Sequence, residues 1–311
     1  MGTMFTATAW GSDTVAILAT LRAARDSARL VDSLMSTYRP SSDLSAVNRA
    51  AGGRPVRVSA ETMYVLRKAR LYWRLSHGAF DPTVAPLVAA WGFYGDSARS
   101  PSPAELDSLR ALVNLAEVEV DSAALTVRLP RRGMRLDFGG IAKGYALDLA
   151  RAAMHSAAVR GGTVDLGGNV LVFGLPPRGD RWRVGVAHPR RDGRIIGTLE
   201  LDSGAVATSG DYEHFYTIGG KRYAHLIDPR SGRPASGVIA ATAVGARGEW
   251  SDGLSAALFL VGPARGVALA DSLPGVAAVY VIDSGRRELT RADVVLSARA
   301  RASFTFDPAL R

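Results

Sequence analysis

The sequence predicts an α+β protein with mixed or antiparallel sheets flanked by helices, and three observations carry that expectation. Apolar residues recur at helical spacing in three stretches before Val113, and strand-like segments then follow one another from Thr163 to Ser209 without a helix between them. Beyond them, strand and helix patterns alternate again to Asp283. At 311 residues, with 47% hydrophobic and 22% charged residues, the chain can bury a large core in one large domain or two interlocked ones. No internal repeat or low-complexity linker interrupts it.

Composition excludes several chemistries. There is no cysteine, hence no disulfide, thiolate metal site, cysteine nucleophile or lipidated cysteine on the chain as given. The net charge is +9, yet the arginines are scattered and no run interleaves them with lysines and aromatics, so no nucleic-acid partner is expected. No apolar run is long enough for a membrane span, and Met1 to Trp10 lacks the basic and apolar regions of a signal peptide.

In chain order, Gly2 to Trp10 reads as a strand, and Ser12 as the cap of a helix carrying Val15, Leu18, Leu21, Leu30, Leu34 and Met35. S-T-Y-R-P-S-S-D-L-S-A-V-N, Ser36 to Asn48, reads as a loop, because Pro40 pushes Arg39 into an extended conformation and the polar residues favour turns. Tyr38 in that loop can stack on a flat ring or pack beneath its own loop. Ser59 caps a helix to about Ser76. In the apolar segment His77 to Phe93, Asp81 precedes Pro82 and, with Thr83, either caps the following turn or bonds a ligand. Ser102, Pro103 and Glu105 stand at the cap, first and third positions of a helix to about Val113. Glu117 to Val120 and Leu125 to Leu129 form a hairpin.

The chain is organised around M-R-L-D-F-G-G-I-A-K-G-Y-A-L-D, Met134 to Asp148, which passes from strand alternation through a glycine turn into a helix from Ile141 through Ala153. Gly139 and Gly140 can take positive φ and approach a ligand, and the amides opening the helix suit an anion such as a phosphate. The simpler alternative is a structural βα turn. All the basic residues except Lys68, Lys143 and Lys221 are arginine, and one of those lysines stands in this corner, where a compact charge can reach a phosphate.

Strand patterns follow at Thr163 to Phe173, Trp182 to Ala187, Ile195 to Leu201 and Ala205 to Ser209, an antiparallel-looking run. Within the first, D-L-G-G-N puts Gly167 and Gly168 in a strand pattern, which suggests a bulge or a close ligand approach. His225 lies just before the Asp228-Pro229 turn and is either a satisfied structural histidine or a titrating, phosphate-contacting one. Val238 to Val244 reads as a strand and Glu249 to Leu260 as a helix. Glu249 and Asp252 suit that helix's positive end, and Asp252, Ser255 and Ala256 share a face. A helix to Leu273, a strand at Val276 to Asp283 and an arginine-rich end complete the chain.

Taken together these stretches resemble the ApbE family of FAD:protein FMN transferases. The matching blocks are M-G-T at Met1, S-T-Y-R-P-S-S-D-L-S-A-V-N, G-A-F-D-P-T-V-A-P-L, L-D-F-G-G-I-A-K-G-Y-A-L-D, A-T-S-G-D-Y, H-L-I-D-P-R-S-G-R-P and D-G-L-S-A-A-L, in family order over nearly the whole length. The resemblance implies a single ApbE-like domain over residues 1–311, with an FAD cleft between subdomains. It also implies a Mg2+-dependent transfer of FMN from FAD to a threonine or serine hydroxyl of an acceptor flavoprotein, with release of AMP. Met1, Tyr38, Ala79, Phe80, Asp81, Gly139, Lys143, Tyr145 and His225 would line the FAD site. The Ala142 carbonyl and Asp252 would hold the magnesium ion, and His225 and Asp252 would serve catalysis. The implied location is the periplasmic side of the bacterial cell envelope, with an encoded start upstream of Met1.

One departure concerns the metal. Four residues after Asp252, where the family usually has a threonine ligand, stands Ala256, and Ser255 or water would have to supply the oxygen. An FAD-binding carrier without transferase activity and a metal-dependent FAD pyrophosphatase remain the alternatives.

Overall fold

The computed structural model describes residues 2–95, 97–286 and 288–310, the side chain of Lys221 excepted. Its elements begin with β1 (Phe5–Gly11), α1 (Thr14–Met35), α2 (Asp43–Arg49), β2 (Val56–Arg57), α3 (Ala60–Leu75), α4 (Ala85–Ala90), α5 (Pro103–Arg110), β3 (Glu119–Asp121) and β4 (Thr126–Arg128). They continue with α6 (Ala142–Ala153), β5 (Val159–Leu166), β6 (Asn169–Gly174), β7 (Trp182–Ala187), β8 (Ile195–Leu201), β9 (Gly204–Gly210), β10 (Phe215–Ile218), β11 (Lys221–Ala224), β12 (Ile227–Asp228) and β13 (Arg233–Pro234). The chain closes with β14 (Val238–Gly245), α7 (Gly248–Val261), α8 (Pro263–Ser272), β15 (Ala277–Ile282), β16 (Val294–Leu296), α9 (Ala298–Ser303) and β17 (Phe304–Phe306). This is an α+β fold.

The chain divides into two compact units, each discontinuous in sequence. Met1–Leu30, Ile141–Gly210 and Gly237–Arg311 form the first, and Val31–Gly140 with Asp211–Ser236 the second.

The first unit is built on a seven-stranded sheet of order β1-β5-β6-β9-β14-β15-β16, antiparallel at every pairing. β14, V-I-A-A-T-A-V-G, is buried at every residue, as a central strand covered on both faces must be. Helix α7 packs on β9, β14 and α6 and is buried nearly all round, which explains why its sequence is apolar without a polar stripe. A smaller sheet, β17-β8-β7, buries Val184 and Val186 and exposes Arg183, Gly185 and Ala187.

The second unit has three small sheets, β2-β4-β3, β10-β11 and β12-β13, with helices α2 to α5. Its core gathers Leu87, Trp91, Phe93, Leu106 and Ile227. The buried Trp91 indole donates to the Gly232 carbonyl at 2.8 Å, tying α4 to the turn between β12 and β13.

Several expectations are corrected. Asp13, not Ser12, caps α1: its Oδ1 accepts the N–H groups of Val15 and Ala16 at 2.9 and 3.1 Å. The polar stretch Ser36 to Asn48 is not all loop, because Ser42 caps α2 by accepting the Ser45 N–H at 3.0 Å. Met134 to Phe138 does alternate buried and exposed, but it is not a sheet strand. Leu136 takes both backbone bonds from the Asn48 amide, at 2.7 and 2.9 Å, and Asp137 donates to the Pro82 carbonyl at 2.7 Å. The expected strand Thr163 to Phe173 is two strands, β5 and β6, because Gly167 and Gly168 adopt φ of 60° and 83° and turn the chain back on itself.

Candidate active site

Helices α6 and α7 cross at a pair of glycines in the first unit. A Cβ on Gly144 would lie 2.1 Å from the Gly248 oxygen and 2.6 Å from the Asp252 Cβ, and one on Gly248 would lie 2.3 Å from the Gly144 oxygen. Only glycine permits so close a crossing. It brings the first turn of α6, with Ala142, Lys143 and Gly144, onto the carboxylate of Asp252.

Asp252 is buried, 4% exposed. The Gly144 N–H donates to its Oδ2 at 2.8 Å, and the Asn169 amide donates to its Oδ1 at 2.9 Å. Burial pushes its pKa up, while the nearby Lys143 charge and the hydrogen bonds from Gly144, Asn169 and the Lys143 main chain oppose that shift. The Gly144 amide in the first turn of α6, expected to face a ligand anion such as a phosphate, donates instead to the protein's own Asp252 carboxylate. Gly139 and Gly140, which lack a Cβ and could take positive φ, do not adopt it. Gly139 instead closes a short turn by donating to Asp137 Oδ1 at 2.6 Å.

A second carboxylate fixes the same crossing. Asp148 of α6 accepts the N–H groups of Gly248 and Glu249 at 2.7 and 3.0 Å, capping α7 from outside. Its pKa is raised by burial against those two bonds. Ser255 uses its hydroxyl internally: it donates to the Asp252 carbonyl at 2.9 Å and shares a 2.9 Å bond with Ser209 Oγ. Ala256 is buried and presents only a methyl group. Tyr145 follows Gly144 in α6 and is buried.

The other sequence-derived residues belong to the second unit, except Met1, which lies outside the described residues. Tyr38 is 72% exposed and meets Tyr94 edge to face at 6.3 Å between centroids. Tyr94 donates to Asp137 Oδ2, and burial followed by the Asp137 charge holds its pKa well above the usual phenol value. Tyr38 is shifted upward too, by burial and then by Asp137 and Tyr216. The exposed tyrosine thus stands against a fixed Tyr94–Asp137–Gly139 support, suited to stacking on a flat ring.

Ala79, Phe80 and Asp81 are buried. The carboxylate of Asp81 is taken up internally: Oδ1 accepts the N–H and hydroxyl of Thr83 at 2.8 and 2.5 Å, and Oδ2 the Leu115 N–H at 3.1 Å. Burial nonetheless raises its pKa. Asp81 borders a cleft of about 620 Å3, together with Trp73, His77, Asn114 and Arg230.

His225 sits half-buried in an aromatic group, 6.4 Å from Phe93 and 5.8 Å from His214 between ring centroids. Its Nδ1 lies 3.1 Å from the His214 carbonyl. A carbonyl only accepts, so Nδ1 carries the proton and the neutral ring has its lone pair on Nε2.

Sequence reasoning missed Asn169, Asp148, Tyr94 and Asp137. Asn169 closes D-L-G-G-N, where the glycine pair was the visible signal; nothing in the sequence announces the others' partners.

Comparison with known proteins identifies the family of the chain. The family model described as the ApbE family matches residues 1–280. The chain is 34% identical over 247 residues to an FAD:protein FMN transferase of Vibrio cholerae, covering 78% of this chain and 73% of that protein. It is 31% identical over 278 residues to one of Klebsiella pneumoniae, covering 88% and 83%. Among solved structures, the ApbE protein of Thermotoga maritima superposes with a TM-score of 0.85 at 30% identity, covering 97% of this chain and 96% of that one. The flavin transferase ApbE of Vibrio cholerae gives 0.81 at 28% identity, covering 97% and 96%. The chain belongs to the ApbE family.

Proposed function

We propose that this chain is an FAD:protein FMN transferase that uses a divalent cation, most naturally Mg2+, to move FMN from FAD onto a threonine or serine hydroxyl of an acceptor flavoprotein. The observation that carries the proposal is the Asp252 corner, a buried carboxylate locked between the first turn of α6 and Asn169.

The donor set fits a hard cation. Each carboxylate oxygen of Asp252 accepts one of these hydrogen bonds, and an ionised carboxylate has about four acceptor sites, so lone pairs remain for a metal. The Ala142 carbonyl opens the same turn. Among the described residues no three His, Asp or Glu side chains converge on a metal position. That suits magnesium, which keeps several waters and shares substrate phosphates. When bound there, the cation supplies charge neutralisation at the pyrophosphate of FAD.

The protein's own groups do the rest. Tyr38 stacks on a ring of FAD, and Lys143 contributes positive charge for the phosphates while drawing Asp252 toward its ionised form. The acceptor oxygen attacks the FMN phosphorus, the bond to the AMP phosphate breaks, and AMP departs. His225, with its proton fixed on Nδ1, takes the hydroxyl proton at Nε2.

Incubation with FAD, Mg2+ and an acceptor domain tests the proposal through the acceptor's mass and the small-molecule products. An acceptor heavier by one FMN moiety, with matching AMP, is expected. Free FMN and AMP with unmodified acceptor would identify a pyrophosphatase instead, and unchanged FAD a carrier.

A further inference from the structure

Asn169 was not among the residues singled out in the sequence, and its position is unusually well determined. It is 1% exposed and opens β6 directly after the Gly167–Gly168 turn. Register pairs it with Leu166, so only the two glycines separate the strands. The turn is held from two sides. The Gly168 N–H donates to Asp165 Oδ1 at 3.0 Å, and the side chain of Thr3 fills the space where Gly167 would carry a Cβ, its Oγ1 2.4 Å from that point. β5 is further paired with β1 on its other edge, from Phe5↔Leu166 onward. Asn169 therefore projects from a rigid hairpin end.

Its amide orientation follows from chemistry. The carboxylate of Asp252 only accepts, so the NH2 group of Asn169 faces it, at 2.9 Å from Oδ1. The other oxygen is held by the main chain of a different element, the Gly144 N–H at 2.8 Å. Main-chain donors of α6 alone, Gly144 with Lys143 beside it, would hold the carboxylate from one side only. Donors on opposite oxygens, one from β6 and one from α6, fix its plane.

We propose that Asn169 is the positioning residue that holds the Asp252 carboxylate plane for a hard divalent cation. This rests on the reading of Asp252 as a cation ligand. In this role Asn169 acts through Asp252, to which its amide donates. Hydrogen-bond partners of metal-binding carboxylates typically change metal affinity by about 10–100-fold when removed.

The test is a Mn2+ titration of the full chain followed by electron paramagnetic resonance of the free ion, with FAD present. Metal-free FAD affinity is measured separately by flavin fluorescence. Wild type is compared with Asn169→Leu, which keeps the size and removes the donor, with Asn169→Ser, which removes the amide should the leucine variant fail to fold, and with Asp252→Asn. The expected result is a Mn2+ dissociation constant raised at least tenfold in a folded Asn169 variant, with metal-free FAD affinity within about twofold of wild type. Loss of Mn2+ binding in Asp252→Asn but wild-type Mn2+ affinity in a folded Asn169 variant would overturn the role of Asn169 alone. Unchanged Mn2+ affinity in Asp252→Asn would overturn the Asp252 reading and this inference with it. Equal weakening of Mn2+ and metal-free FAD binding would mark Asn169 as a general structural residue and also overturn the proposal.

Discussion

Gly144 donates its backbone N–H to Asp252 Oδ2 at 2.8 Å, across a helix crossing that no larger residue would allow. A buried carboxylate and a helix N-terminus thereby satisfy each other.

Gly144→Ala should therefore destabilise the protein through overpacking, because the new Cβ meets backbone and cannot be relieved by a rotamer change. The expected loss is about 3 kcal/mol or more in chemical denaturation, at or above the usual scale for overpacked cores. At Gly168, where a Cβ meets open space and the obstacle is φ of 83°, alanine should cost only about 1–2 kcal/mol. Equal effects at the two sites would show that the crossing is looser than described.

Asp252 should make metal-free stability depend on pH in a particular direction. Burial raises its folded pKa above the ordinary 3.8, so the folded state holds the proton more tightly than the unfolded chain. Stability should fall as pH rises from about the ordinary value through the raised one, and saturating Mg2+ should restore part of the loss. Asp81 and Asp148, also raised by burial, contribute with the same sign, so the Asp252 share is the difference between wild type and Asp252→Asn. Melting curves across this range, with and without Mg2+, provide the check: an Asn variant with the same pH slope and the same Mg2+ gain would exclude Asp252 as the source.

How much of this was visible in the sequence depends on how far apart the partners lie. The capping signal at Ser102, Pro103 and Glu105 is local and marks the start of α5, and the apolar β14 and α7 are placed within a few residues. The glycines at 139 and 140 drew attention because they are adjacent, yet the demanding glycine is Gly144, whose constraint comes from Gly248. Asp252 lies 108 positions from Gly144 and 83 from Asn169, so no local pattern reports either bond. Met134 to Phe138 shows the converse case: its alternation is real, but Asn48, 88 positions away from Leu136, takes the place of a neighbouring strand.

His225→Ala should lower the rate of FMN transfer by about 100-fold or more, the usual scale for a proton-transfer group. FAD affinity and melting temperature should change far less than the rate. An unchanged rate accompanied by a lower melting temperature would assign the imidazole a structural place within the aromatic group around Phe93.

Ala256→Thr should reduce the Mg2+ concentration needed for half-maximal transfer. The neighbouring hydroxyl, on Ser255, is already bonded to the Asp252 carbonyl and to Ser209, so a new side-chain oxygen at position 256 would add a donor rather than duplicate one. One oxygen ligand, taken as comparable to a charge-assisted hydrogen bond of about 1.5–3 kcal/mol, corresponds to roughly tenfold or more. Wild type that saturates at micromolar Mg2+, with no gain in the threonine variant, would show that the hydroxyl is not needed.

The most direct measurement is the intact mass of an acceptor domain after incubation with FAD, carried out with wild type and Asp252→Asn across a Mg2+ series that starts in chelator. The expected result is an acceptor heavier by one FMN moiety with wild type, in an amount that follows Mg2+ and equals the AMP released, and an unmodified acceptor with the asparagine variant. Full modification by wild type in chelator, or equal modification by the two proteins at every Mg2+ concentration, would contradict the assignment of the Asp252 corner as the cation-dependent centre of a flavin transferase.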